Sequence, residues 1–151
     1  MNHNIVSPLY ISLPRKTMKD KKVFLNMNAY RNLHHRISND AKKIYSQNLY
    51  KQLNGLKIKT PVEITYKVFK GSNRKLDKMN VVSVVSKFLL DAITQYECWT
   101  DDNDDYVKTE TILPTELDRD NPRVEVIIKE IDVRTSSQAP WPVHKDGFKY
   151  D

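Results

Sequence analysis

The sequence predicts an α+β fold, a small mixed or antiparallel sheet with two main helices packed on it. Two stretches, about 29–53 and 79–96, repeat apolar residues at helical spacing. Three others, 62–70, 106–113 and 124–131, alternate or run apolar at strand length. Their order, β–α–β–α–β–β once a first strand near residue 9 is counted, packs helices on a small sheet. The chain has 151 residues, enough for one domain with a real core, and only three glycines, too few for a large loop-rich fold. Residues 1–131 are read as that single domain. Residues 132–151, with Ser136, Ser137, Pro140 and Pro142, are read as an extended tail.

Each element has its own signal. Leu9–Leu13 (LYISL) alternates between Pro8 and Pro14, which predicts a short strand, followed by a basic loop over 15–22. Asn28 is placed to cap one long helix over 29–53, with Leu33, Ile37, Ala41, Ile44, Tyr45 and Leu49 turned inward. Arg31, His35, Arg36, Lys42, Lys43 and Lys51 share its other face, and Asn54-Gly55 ends it. After Pro61, Val62, Ile64, Tyr66 and Val68 fall on one face of a strand. Gly71–Lys75 is a polar loop, and the second helix follows. On the next strand Tyr106, Lys108, Glu110 and Ile112 alternate with Val107, Thr109, Thr111 and Leu113; Asn121-Pro122 then turns the chain into the last strand.

Charge narrows the function. Residues 1–75 hold 16 basic and 3 acidic residues, a balance of +13; residues 76–151 hold 9 and 16, a balance of −7. A basic half points to a polyanion, and an acidic half points to a site that gathers carboxylates. An ordinary solvated surface with chance asymmetry is the plain alternative. Cys98 is the only cysteine, so no internal disulfide forms, and a reducing cytoplasm is the expected compartment. No apolar run reaches about 18 residues, so no membrane span is expected, and the N-terminus lacks the pattern of a signal peptide.

The second helix carries the chemistry. With Asn80 set at zero and about 100° per residue, Lys87 falls near −20° and Asp91 near +20°. Val81, Val85, Phe88, Leu89 and Ala92 fall between about 80° and 180°. Polar and core residues therefore occupy separate stripes. Asp77 precedes the helix, and Asp101 and Asp102 follow it. Carboxylates around one lysine suit a divalent ion held against a phosphate. The alternatives are a surface ion pair between Lys87 and Asp91 and a plain acidic turn over 101–105. A helix of about 17 residues is about 25 Å long, so acids at its two ends share an ion only if the following chain folds back.

Asp77-x-x-Asn80, Lys87, Asp91-Ala92-Ile93-Thr94 and Trp99-Thr100-Asp101-Asp102 stand in an order that resembles the RusA family of Holliday-junction resolvases. That family carries an Asp-x-Asp-Asn box, a lysine and an Asp-Ala-Leu segment on a helix, and an aromatic-x-Asp-Asp turn. LYISLP near the start and PRVEVIIKE near residue 131 also resemble it, so the likeness spans roughly residues 9–131. It implies a Mg²⁺-dependent endonuclease that resolves four-way DNA junctions as a homodimer, of the phage type. Catalysis would fall to Asp77, Lys87 and Asp102, with Asp91 and Asp101 as further metal ligands. Two departures stand out. Met79 occupies the position of the second acid. Asp77 and Lys87 are ten positions apart, about one helical turn more than in the common pattern. A catalytically weak or inactive DNA-binding relative, or a non-enzymatic interaction protein, are the rival readings.

Other residues complete the expectation. Arg15, Lys16 and Lys19, with Lys21 and Lys22, form a loop suited to gripping DNA; Arg74 and Lys75 flank the proposed site. Asn80 caps or braces the first acid and stands with these DNA-side groups. His34 and His35 are adjacent, about 100° apart, so they make no i,i+4 metal pair and read as helix surface. Cys98 reads as a buried thiol.

Overall fold

A computed structural model of the chain describes residues 2–99 and 106–131. It is α+β, and its main sheet is mixed. β1 (Asn2–Pro8) pairs antiparallel with β7 (Arg123–Glu130), and β7 pairs antiparallel with β4 (Val62–Lys70). β5 (Val107–Ile112) and the short β6 (Glu116–Leu117) both pair parallel with β4. The order is β1-β7-β4-β5, with β6 following on the β4 edge. β2 (Tyr10–Leu13) and β3 (Lys21–Phe24) make a separate antiparallel hairpin.

β1 went unread because its NHNIVSP carries only two strongly apolar residues, Ile5 and Val6, which are adjacent and show no alternation. Its pairing with β7, seven residues long from Asn2↔Lys129 to Pro8↔Arg123, is decided across the whole chain length. β3 is similarly hidden in KKVF. Lys21 and Lys22 therefore belong to a strand, and the basic loop shortens to 14–20.

The single helix expected over 29–53 is three: α1 (Met27–Arg31), α2 (His35–Asn48) and α3 (Tyr50–Leu53). The cap is Asn26, not Asn28: Asn26 Oδ1 accepts from the Ala29 N–H at 2.8 Å. Asn28 lies inside α1, and its carbonyl accepts from the Asn32 side chain at 3.0 Å. That local bond competes with helix continuation at the break. α2 then restarts with His34, whose Nδ1 accepts from the Arg36 N–H. Gly55, at φ 81, ends α3 in the left-handed conformation, as Asn54-Gly55 predicts.

α4 (Lys78–Gln95) falls within one residue of its expected span. Its sequence is rich in valine, which helices favour weakly. Burial overrides that preference: Val81, Val82, Val84, Val85, Phe88, Leu89, Leu90, Ala92 and Ile93 are all buried. Each fully buried side chain of this kind contributes about 1.5–3 kcal/mol. The buried arc is wider than the one predicted because α4 has neighbours on several sides, namely β4, β5, α1 and α2. α2 lies beside it and reaches β1 through the Tyr45 hydroxyl and Ser7 Oγ, 2.7 Å apart. Val62, Ile64, Tyr66 and Val68 face these helices, as expected, and each is fully buried. No described helix is long and apolar enough to cross a membrane.

Candidate functional site

α4 positions the predicted groups. Asp77 is its N-cap, and Oδ1 accepts from the Met79 N–H at 3.0 Å and the Asn80 N–H at 3.4 Å. Asn80 thus touches the first acid through its backbone. Arg74 and Lys75 are exposed beside this end, and the Arg74 carbonyl accepts from Lys70 Nζ. Along the helix, at about 1.5 Å per residue, Lys87 lies about 15 Å beyond Asp77 and Asp91 about 21 Å beyond it. Asp77 and Asp91 are therefore too far apart to hold one ion.

The stripe itself is exposed at Ser83, Lys87 and Asp91 and half-buried at Asn80. No ion pair joins Lys87 to Asp91 among the described residues. Lys87 Nζ stands instead 5.1 Å from the centroid of the Tyr30 ring, which packs edge-on against Phe88. On the other side Ser86 Oγ donates to Glu110 Oε1 of β5 at 3.0 Å. The stripe thus runs between α1 and the sheet edge.

Glu110 is the group that sequence reading missed at this site. Its Oε1 also accepts from the Tyr66 hydroxyl at 2.7 Å. Burial, and then the Glu110 charge, push the Tyr66 phenol well above its usual range, so it remains a donor. The signal was partial: Glu110 shares a strand face with Tyr106 and Ile112, although its side chain is exposed. What the sequence did not give is which helix position meets it.

The C-terminal end of α4 is anchored by aromatics. Trp99 is buried and donates from Nε1 to Thr94 Oγ1 at 2.7 Å; its ring lies 6.0 Å from that of Tyr106. An open depression of about 590 Å³ lies here, edged by Lys57, Lys59 and Glu97. Asp101 and Asp102 fall between Trp99 and Tyr106, outside the described residues. Among the described residues, no three His, Cys, Asp or Glu side chains gather to hold a metal.

The remaining candidates sit apart from this helix. Arg15, Lys16 and Lys19 are exposed on the hairpin loop, where Arg15 Nε donates to the Lys19 carbonyl. His34 and His35 are exposed, their rings 4.3 Å apart. Cys98 is a buried thiol that donates to the Leu53 carbonyl; burial raises it, and the nearby Lys57 only partly offsets this.

No protein-family model matches the chain, and no curated protein matches it.

Proposed function

We propose that the chain is a structure-selective DNA endonuclease of the RusA type, cutting four-way junctions with Mg²⁺ and acting as a homodimer. One observation carries this reading most strongly. Lys87 and Asp91 lie exposed one turn apart on α4, on the half of the helix that leads to Asp101 and Asp102, without the ion pair that a purely structural role would use.

A Mg²⁺ site of the ordinary kind needs one or two carboxylates completed by water and phosphate. Asp91 with Asp102, supported by Asp101, would hold the ion. When bound, it would activate a water and offset charge on the scissile phosphodiester. Lys87 supplies a mobile ammonium beside the same stripe and offsets charge that develops on phosphate oxygens. The Tyr30 ring lies 5.1 Å from the Lys87 ammonium, an attraction that positions it without neutralising it. Glu110 fixes the sheet edge against the stripe. Arg15, Lys16, Lys19, Arg74 and Lys75 contact the DNA backbone. Asp77 acts as the helix cap.

The test is a labelled four-way junction and a linear duplex, each with and without Mg²⁺. Mg²⁺-dependent nicking of the junction alone is expected. Junction affinity should fall steeply with salt, each neutralised phosphate adding about −0.9 to the log–log slope. Salt-independent binding or no nicking would defeat the reading.

A second reading, a DNA-binding relative without cleavage, draws on Asp77. Its carboxylate is committed to capping, and Met79 stands where the resembled pattern has its second acid. This reading expects junction binding with no Mg²⁺-dependent product.

A further inference from the structure

The apolar stripe of α2 is wider than the hairpin that covers it. Ala41 is buried, Ile44 is half-buried, and Ile37, which by periodicity belongs to the same inward face, is 41% exposed. A groove of about 340 Å³ runs here between α2 and the start of the hairpin loop. Leu13, Pro14, Ile37 and Ile44 give it an apolar lining. Its size falls at the lower end of the range of about 300–1,000 Å³ typical of small binding sites, with room for one or two side chains.

The charge around it has one sign in excess. Arg15, Lys21 and Lys43 edge the groove against the single acid Asp40. None of the three is ion-paired to Asp40 among the described residues. An uncovered aliphatic floor inside an unneutralised cationic rim complements a particular ligand: aliphatic side chains carried on an acidic chain. A phosphate backbone would use the cations and leave Ile37 and Ile44 without a role.

We propose that this groove docks a short acidic segment of a partner protein, which inserts one or two aliphatic side chains beside Ile37. The site is separate from α4 and does not depend on the nuclease reading. Arg15 belongs to both surfaces; Ile37 belongs only to this one.

The full chain is titrated, by fluorescence anisotropy, into a labelled acidic peptide of about twelve residues carrying two leucines four positions apart, the spacing of helix-in-groove anchors. A peptide with both leucines changed to serine and a short labelled DNA duplex serve as controls. The leucine peptide should bind, and the serine peptide should bind about tenfold more weakly or worse, as expected when an anchor side chain is lost. Ile37→Ser, at an exposed position, should keep the thermal midpoint and weaken the leucine peptide by a similar factor of about ten, while leaving duplex affinity unchanged. Lys43→Glu should also weaken the peptide, independently of any effect of serine on α2. Absence of peptide binding, equal binding of the two peptides, or full affinity in both variants would overturn the proposal. Equal loss of peptide and duplex in Ile37→Ser would make the groove a nucleic-acid contact, which also overturns it.

Discussion

The Tyr66 hydroxyl, on the central strand β4, donates to Glu110 Oε1 on the neighbouring β5 at 2.7 Å, and Ser86 of α4 donates to the same oxygen. One carboxylate thereby ties sheet to helix. Glu110 is exposed, so removing the phenol exchanges one of its bonds for water. Tyr66→Phe should cost about 1 kcal/mol, the usual net worth of such a bond. Glu110→Ala should cost more, about 1–3 kcal/mol, because it takes the charged acceptor from a buried hydroxyl. Urea unfolding gives both values, and the reverse order would mean that the carboxylate is not what Tyr66 needs. The phenols of Tyr66 and Tyr45 are both raised, chiefly by burial. The folded state therefore keeps protons that unfolded tyrosines release near pH 10, so stability should fall as pH rises above about 10.

Lys87→Ala should fold normally, since the side chain is exposed and loses only its contact with Tyr30. Junction cleavage should fall roughly 10²-fold or more if the ammonium offsets transition-state charge. Asp102→Asn should bind junctions and nick them hardly at all, whereas Asp104→Asn should matter much less. Wild-type cutting by either Lys87→Ala or Asp102→Asn removes that residue from catalysis.

Asp77 offers a sharper division. As an N-cap it is replaceable by Asn, which supplies the same acceptor, and less so by Ala, which should cost about 1 kcal/mol. Asp77→Asn should leave both the thermal midpoint and cleavage near wild type. Loss of cleavage at full stability would return Asp77 to the metal site and place a second ion near the start of α4.

Glu130 contributes to the acid side of stability. Burial works to raise its carboxyl, but the Lys59 N–H at 2.8 Å, the His3 ring at 3.0 Å and the Thr60 N–H together hold it below its usual value. A carboxylate lowered by folding stabilises above its unfolded value, about 4.3, and that contribution disappears as pH falls through the lower folded value. Glu130→Gln should flatten the stability–pH curve below about pH 4.5 and leave the neutral region with a smaller, constant loss. An unchanged acid limb in urea titrations would show that other carboxylates dominate it.

How much was legible depends on the range over which each feature is decided. β4, α4 and β7 were readable because their patterns are local: alternation that puts Val62, Ile64, Tyr66 and Val68 on one face, and a helical apolar arc of Val81, Val85, Phe88, Leu89 and Ala92. The separation of Lys87 and Asp91 from the core also follows from helix period alone. The α+β class followed from element order. Tertiary structure decided what local pattern leaves open. β1 is a strand because β7 pairs with it from more than a hundred residues away. The helix over 29–53 breaks at Asn32 because a side chain competes for a backbone carbonyl. Ile37 periodicity points inward, yet the hairpin is too narrow to cover it. Glu110 joins the α4 stripe because the parallel pairing of β5 with β4 brings it opposite Ser86, a juxtaposition that no sequence spacing encodes. Asp77 and Asp91 share a helix in sequence, but its rise of about 1.5 Å per residue holds them about 21 Å apart. That rigidity, not residue type, separates the cap from the proposed catalytic end.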